Sequence, residues 1–432
     1  QNQLDNQHKY KARYNMTENK LITSSNTKIF PKKENNASDF NESREDTSVD
    51  LLVYDVLPVA GASDQSVQRE NIELIKCPPT WHVQDNSLHA MPLYYPLEKT
   101  HAIVYSVSSS LITERIAMCL RELSISATFD DFKATATAKT ENHVHFTIRL
   151  FKQKQRYIIV ELQRVKGDLF TFHHLSIPIL KSASQNQQYS GKFSYKKQSM
   201  LSYRTHKICL NHDDDTKEQN IFSIMDTISA LLTKERIDAQ LLGVQSLRNI
   251  TNPAMTKRSV SFEAAKLVLG GCNDQSPHCN ISTIFVSLLL NFNRAEEGRD
   301  DELNDDTVFQ NHFEKLHNHT LAILGNTLCV LTMERQCLFE ITQCQKWLSS
   351  EALVSLLVTD LKNADTEHHN AFLAANALYY LIRSSSEAYD RAVDLGAPHA
   401  ARLAQAVGRE KHMALARESQ RVLGALMAES GV

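Results

Sequence analysis

The 432-residue sequence predicts a multidomain fold in which a small α+β domain is followed by an all-α array of helical repeats. A short apolar signature recurs five times in the second half of the chain, at intervals of 42, 39, 50 and 45 residues. Its central residues are Leu247, Leu289, Leu328, Leu378 and Leu423. Upstream of it, residues 144–150 alternate apolar and polar side chains, which is typical of a half-buried β-strand. The two patterns indicate two structural classes along one chain.

Composition sets the domain boundaries. Residues 1–50 are polar, and we expect them to be disordered because they cannot bury enough apolar surface to offset their ordering entropy. Residues 51–97 hold several prolines and predict an irregular lead-in to the next domain. We expect the α+β domain at 98–182, a polar linker that acts as a hinge at 183–220, and the helical repeats at 221–428.

The α+β domain is predicted from its order of elements. A helix capped by Ser110 comes first, because apolar residues recur after it at helical spacing. Strands follow at 130–138, 144–150 and 157–165, and a second helix runs from residue 167 until Pro178. An antiparallel sheet with the helices on one face is the economical packing, with the apolar side of 144–150 against the first helix.

Residues 98–182 resemble the kinase-associated C-terminal domain of AMP-activated-type and polarity kinases. The likeness lies in the order of elements and in the stretch YIIVELQRVKGDLFTFHHLSIPIL (157–180), where a β run ends in a basic residue and a glycine leads into a helix. In that family the domain binds anionic phospholipid heads or restrains the kinase. The resemblance therefore implies a lipid-binding or regulatory module, provided that basic residues here form a lipid site.

The charge distribution points to an anionic partner. Between residues 146 and 207 there are twelve basic residues and two acidic ones, whereas the whole chain has a net charge of −3. Such asymmetry indicates an anionic lipid, a nucleic acid, an acidic protein or simply a solvated face. No nucleic-acid-binding motif accompanies the charge, so we expect no specific nucleic acid. The candidate anionic-ligand residues are Lys152, Lys154, Arg156 and Lys166.

Residues 221–426 resemble armadillo repeats, or the related HEAT repeats, whose period is roughly 40 to 47 residues. The five signature segments are similar to the third helices of armadillo repeats. In that family an Asn two positions after the framework leucine holds a bound peptide backbone, which implies this role for Asn249 and Asn291. Tyr379 and Tyr380 are candidate aromatic contacts in the same groove. The alternative for all four residues is a local structural role.

Several chemistries find no support in the sequence. We find no phosphate-binding glycine loop, no nucleophile elbow, no zinc-protease motif and no kinase signature, so we expect no enzyme activity and no cofactor. The histidines near 312–319 and 368–369 are interpreted as surface residues rather than metal ligands. The acidic segment 295–307 is interpreted as a solvated insertion, with docking onto the basic domain as the alternative.

Taken with the repeats, these observations predict a non-enzymatic scaffold that binds a protein or peptide partner in a helical groove. Its basic α+β module is a candidate contact for anionic phospholipid. The alternative is the regulatory C-terminal region of a larger protein kinase, because the chain begins with Gln1 rather than methionine. We expect a cytoplasmic protein whose membrane contact, if any, is peripheral.

Overall fold

The computed structural model describes residues 81–153, 157–184, 214–270, 280–297, 307–333 and 335–429. These residues belong to one compact unit, in which a sheet with two helices precedes a larger set of helices. The predicted disordered N-terminus (1–50) lies outside the described residues, as do most of the lead-in (51–97) and most of the linker (183–220).

The α+β domain contains an antiparallel sheet, as predicted, and the sheet has five strands. Strands β2 to β5 form a meander, in which each strand pairs with the next. The last strand, β5, also pairs with β1 on its other side, which gives the order β1-β5-β4-β3-β2. The strands are β1 (His101–Tyr105), β2 (Ser126–Asp130), β3 (Thr135–Lys139), β4 (His145–Gln153) and β5 (Tyr157–Lys166). Three strands were predicted, so β1 and β2 had no counterpart, and the predicted strand at 130–138 corresponds to β3 but also includes the turn before it.

Helix α1 (Ser109–Glu122) packs on one face of this sheet. Its buried Ile112 and Ile116 share a core with Phe146 and Ile148 of β4, which confirms the predicted packing of the alternating segment. The predicted cap was wrong by two residues, because Ser108 caps the helix and accepts a hydrogen bond from the backbone N–H of Leu111.

Helix α2 (Leu169–Ser184) lies on the same face and contacts α1. The prediction that it ends at Pro178 was wrong, since the helix continues for six more residues. Proline removes one backbone hydrogen bond from a helix. The turns beyond it bury Ile179 and Ala183 in the sheet core, and this burial holds the last part of the helix in place.

Trp81, Val83 and Leu88 in the segment before β1 belong to the same core as α1, whereas residues 95–98 later in this segment cover β5 on the other face of the sheet. Glu161 of β5 is fully buried there and accepts hydrogen bonds from the Tyr95 hydroxyl at 2.7 Å and the Glu98 backbone N–H at 2.8 Å. Arg149 of β4 donates to the Tyr95 oxygen at 2.9 Å and to Gln163 at 2.7 Å. The buried carboxylate is therefore satisfied by the irregular segment that precedes β1.

The regular elements in the described part of the chain after residue 213 are helices and one short 3-10 turn (Lys346–Ser349). The helices are α3 (Asp214–Leu232), α4 (Ile237–Thr251), α5 (Arg258–Leu269), α6 (Asn280–Glu297), α7 (Thr307–Thr332), α8 (Arg335–Cys344), α9 (Glu351–Lys362), α10 (His368–Ser384), α11 (Ser386–Asp394), α12 (Ala397–Lys411) and α13 (Met413–Glu429).

The five signature leucines all lie buried in a single core of this helical part. Four of their helices, α4, α7, α10 and α13, contact one another in that order and form a row. The fifth, Leu289, lies in α6, which packs on α3, α5, α7 and α9 beside the row. The recurring sequence signature thus gives four neighbouring helices and one that is set apart.

Candidate functional site

The sheet and the helices meet at a polar junction around the turn between β3 and β4. Lys139 at the end of β3 forms an ion pair with Glu314 of α7. Glu141 in the turn forms an ion pair with Arg248 of α4, whose side chain is only 13% exposed. Arg248 also donates to Nδ1 of His319 at 2.9 Å. These contacts join the two parts, which the sequence predicted to be separated by a hinge.

Two buried histidines extend the junction. Nε2 of His369 lies 3.1 Å from the carbonyl oxygen of Lys139, and its Nδ1 lies 3.1 Å from Nε2 of His412. The remaining nitrogen of His412, Nδ1, accepts the backbone N–H of Leu415 at 3.1 Å. Because that nitrogen accepts, Nε2 of His412 carries the proton and donates to His369, which in turn donates to Lys139. The chain of bonds fixes both tautomers and keeps both rings neutral.

Burial lowers the pKa of the junction histidines. The pKa of His412 falls to about 2, chiefly through burial and then through the neighbouring His369. That of His369 is also lowered, again mainly by burial. His143 and His319 meet edge to face with ring centres 5.5 Å apart, and burial lowers their pKa values to about 2 and about 3. The interpretation of the 319 and 368–369 histidines as surface residues was wrong, since all three are buried.

A pocket of about 290 Å³ opens at this junction. The sheet domain contributes the end of α1, the β3–β4 turn and the first turns of α2, and the helical part contributes α10 and the start of α13. Its lining residues are Leu123, Ser124, Ile125, Thr140, Glu141, Asn142, Thr171, His174, Leu175, Phe372, His412 and Ala414. In the described part of the chain, residues of the sheet core and residues packed on the helical core therefore line the same pocket.

The predicted groove residues do not form one exposed row. Asn249 is exposed on α4, and the side chain of Asn291 in α6 falls outside the described part of the chain. On α7, between α4 and α10, the corresponding residue is Val330, which is buried. The pattern of leucine followed by asparagine therefore does not continue across neighbouring helices.

Tyr379 and Tyr380 of α10 instead form a cluster with arginines. The guanidinium of Arg421 in α13 lies 3.9 Å from the ring centre of Tyr379, and that of Arg383 donates to its hydroxyl at 2.5 Å. Arg421 also pairs with Glu418 at 2.6 Å. Burial, together with a hydrogen bond to a cysteine of α7, raises the pKa of Tyr380 to about 12. The sequence analysis identified the two tyrosines but not the two arginines. Arg421 comes from another helix, α13, and Arg383 lies one turn after Tyr379 on α10.

The predicted anionic-ligand residues are not brought together. Lys152 pairs in register with Ile158 at one end of the β4–β5 hairpin, and Lys166 pairs with His145 at the other. Ile158 and Lys166 are eight positions apart on β5, which is about 26 Å at 3.3 Å per residue. Lys154 and Arg156 lie outside the described residues.

Two exposed apolar side chains that the sequence reasoning missed lie on α2. Phe170 and Ile177 are 70% and 65% exposed. They are seven residues apart and so share one helix face. The only sequence signal was that α2 carries apolar residues on every side. We call these two residues the α2 patch. Lys181 follows Ile177 by four positions on the same helix, and Lys166 precedes Phe170 by four positions in the sequence.

Comparisons with known proteins add little to this picture. No family model matches the chain, and no curated protein matches it. Among solved structures the chain is similar to an engineered protein, a target of the Northeast Structural Genomics Consortium. The two share 13% sequence identity over 48% of this chain and 97% of that chain, with a TM-score of 0.20. A likeness at this level carries no argument about fold or function.

Within the described residues, no helix is long and apolar enough to cross a bilayer. Nor do three or more of their His, Cys, Asp or Glu side chains cluster in a way that could hold a metal ion.

Proposed function

We propose that the chain is a non-enzymatic scaffold whose helical part is an armadillo-like solenoid that binds a peptide segment of a partner protein. Support for the solenoid comes from α4, α7, α10 and α13, which carry the recurring signature and contact one another in chain order. Stacked repeats of this kind bury a continuous core and present an extended binding surface.

The observation that carries the peptide proposal is the cluster of Tyr379, Tyr380, Arg383 and Arg421 on α10 and α13. Half-buried aromatic rings supply a large contact area at low entropic cost, and arginine bonds carboxylates in a fixed geometry. Counted on Arg383, Arg421 and Glu418, the cluster carries one net positive charge. It suits a peptide with an acidic side chain next to an apolar one.

Selection of random peptides displayed on phage against the full chain tests this proposal. We expect enriched peptides to contain acidic and apolar residues, and to bind the variant Arg383→Gln at least tenfold more weakly than the parent. Arg402→Gln, on the exposed side of α12, is the matched control and should bind as the parent does. Failure to enrich any peptide, or equal binding by both variants, would exclude this cluster as the site.

The α2 patch favours a second candidate function, contact with an anionic bilayer. Exposed apolar side chains next to basic ones are the composition of surfaces that insert into the headgroup region. The resemblance of residues 98–182 to kinase-associated domains supports the same proposal. It moves the lipid contact away from Lys152 of β4 to Phe170, Ile177 and Lys181 of α2, and keeps Lys166 at the end of β5 as a second basic residue.

Cosedimentation of the full chain with vesicles of phosphatidylcholine, with and without phosphatidylserine, tests the lipid contact. Each basic residue at an anionic surface contributes about 1 kcal/mol, so Lys166→Gln with Lys181→Gln should weaken binding by about 30-fold. Phe170→Ser with Ile177→Ser should also weaken it, whereas Phe132→Ser, an exposed aromatic in the β2–β3 turn, should not. If the parent chain binds equally to vesicles with and without phosphatidylserine, the proposed contact with an anionic bilayer is excluded.

A further inference from the structure

The pocket at the junction has a wall from each part of the molecule. Ile125 and Leu175 belong to the core of the sheet domain, and Phe372 packs on the core of the helical part. Ala414, the second residue of α13, donates its backbone N–H to the Ser124 hydroxyl oxygen at 2.9 Å. Anything bound in this space touches both parts at once.

Three polar side chains of the wall already have partners. Both nitrogens of His412 are used, one by Leu415 and one by His369, so its ring offers the pocket only carbon edges. The Thr140 hydroxyl oxygen accepts the Val144 N–H, and the carboxylate of Glu141 is paired with Arg248. These three side chains therefore add no unpaired charge to the interior, where Leu123, Ile125, Leu175 and Phe372 line the wall together with His174.

The rim differs from the interior. Asn142 is exposed at the β3–β4 turn and presents a carboxamide that can both donate and accept hydrogen bonds. Ligand sites in proteins are usually of this kind, concave and apolar with a few polar groups that fix orientation, and they occur preferentially at domain interfaces.

Volume limits the size of the occupant. A closed cavity of about 150 Å³ lined by Leu, Ile and Phe binds benzene. The junction pocket has about 290 Å³ and is open on one side, so it accommodates a body of about two fused rings with a polar group at the mouth.

We propose that the junction pocket is a binding site for a small uncharged molecule with an apolar ring body and one polar group, and that this ligand bridges the sheet domain and the helices. The site is independent of the tyrosine–arginine cluster and of the α2 patch. Because the ligand contacts both parts, its binding stabilises the assembled arrangement over one in which they separate.

Indole is a suitable probe, since it has two fused rings and a single N–H. Thermal unfolding of the full chain is followed with increasing indole up to its solubility limit. We expect the midpoint to rise with concentration, because a ligand that binds only the folded state shifts unfolding by mass action. The anionic analogue indole-3-acetate should shift it at least tenfold less effectively at equal concentration.

Filling the pocket provides the decisive variant. Ala414→Leu places extra apolar volume in the space and should weaken indole binding at least tenfold without lowering the unfolding midpoint. The matched control Ala428→Leu makes the same change on the exposed end of the same helix and should bind as the parent does. If Ala414→Leu does not fold, Thr171→Leu fills the opposite wall instead. No shift of the parent by indole, or equal shifts in parent and filled variants, overturns the proposal.

Discussion

His412 donates its Nε2 proton to Nδ1 of His369 across 3.1 Å, although the two residues lie 43 positions apart in the chain. A backbone N–H occupies the other nitrogen of His412, and a backbone carbonyl of the sheet domain receives the other proton of His369. Adding a proton to either ring would set two donors against each other. The folded junction therefore requires both imidazoles to be neutral.

We predict that the chain loses stability on mild acidification. The pKa of His412 is about 2 in the folded state, against about 6.5 for an unperturbed histidine. Between these values the unfolded chain binds protons that the folded chain does not. The free energy of unfolding thus falls as pH drops below about 6.5, by about 1.4 kcal/mol per pH unit for each such group.

Urea unfolding between pH 8 and pH 5 measures this dependence. His412→Gln disturbs the hydrogen bonds of this ring, so the variant should have a lower free energy of unfolding than the parent at pH 8. Because the variant also lacks one titrating group, its free energy of unfolding should change less steeply with pH. The exposed His399 provides the matched control, and His399→Gln should keep the slope of the parent. Identical slopes in all three proteins would contradict the neutral junction.

A second prediction concerns the ion pair of Glu141 and Arg248. Arg248 is mostly buried, so the substitution Glu141→Gln leaves the positive charge of Arg248 poorly compensated. We expect a loss of about 1 to 3 kcal/mol in the free energy of unfolding. The exposed pair of Arg236 and Asp238 serves as the control, and Arg236→Gln should cost less than about 1 kcal/mol. Equal costs at the two pairs would show that the junction contact adds no stability.

Local patterns in the sequence were enough to predict the sheet. Val144, Phe146 and Ile148 alternate with polar residues, and their burial against α1 depends only on that alternation and on a neighbouring amphipathic helix. The end of α2 could not be predicted in this way. Pro178 signals a stop, and the helix continues because tertiary burial of Ile179 outweighs the local signal.

The contacts of the junction could not be predicted from the sequence for a different reason. Lys139 and His369 are 230 positions apart, and no local spacing shows that their backbone and side chain meet. His412 stands alone among charged and apolar residues, with no motif around it. The basic run was visible as a charge count, yet strand register decides where each charge points, and register placed Lys152 and Lys166 at opposite ends.

A third prediction tests the buried carboxylate of Glu161. Its two oxygens accept the Tyr95 hydroxyl and the Glu98 N–H, so in Glu161→Gln one donor would face the new amide NH₂. We expect a loss of about 1 to 3 kcal/mol in the free energy of unfolding. Tyr95→Phe, which removes one donor and leaves the carboxylate its other bond, should cost less, and the reverse order would contradict this account.

The last prediction uses two glycines at the C-terminal end. A Cβ on Gly408 of α12 would lie 2.8 Å from Cα of Ala416, and closer still to its nitrogen, whereas a Cβ on Gly424 of α13 would meet nothing within 4 Å. Gly408→Ala should therefore force α12 and α13 apart and lower the free energy of unfolding by about 1 to 3 kcal/mol. Gly424→Ala should raise it by about 0.5 to 1 kcal/mol, because alanine loses less backbone entropy in a helix. Urea unfolding of both variants measures the difference in sign, and destabilisation of equal size at the two positions would refute the close approach of α12 to α13.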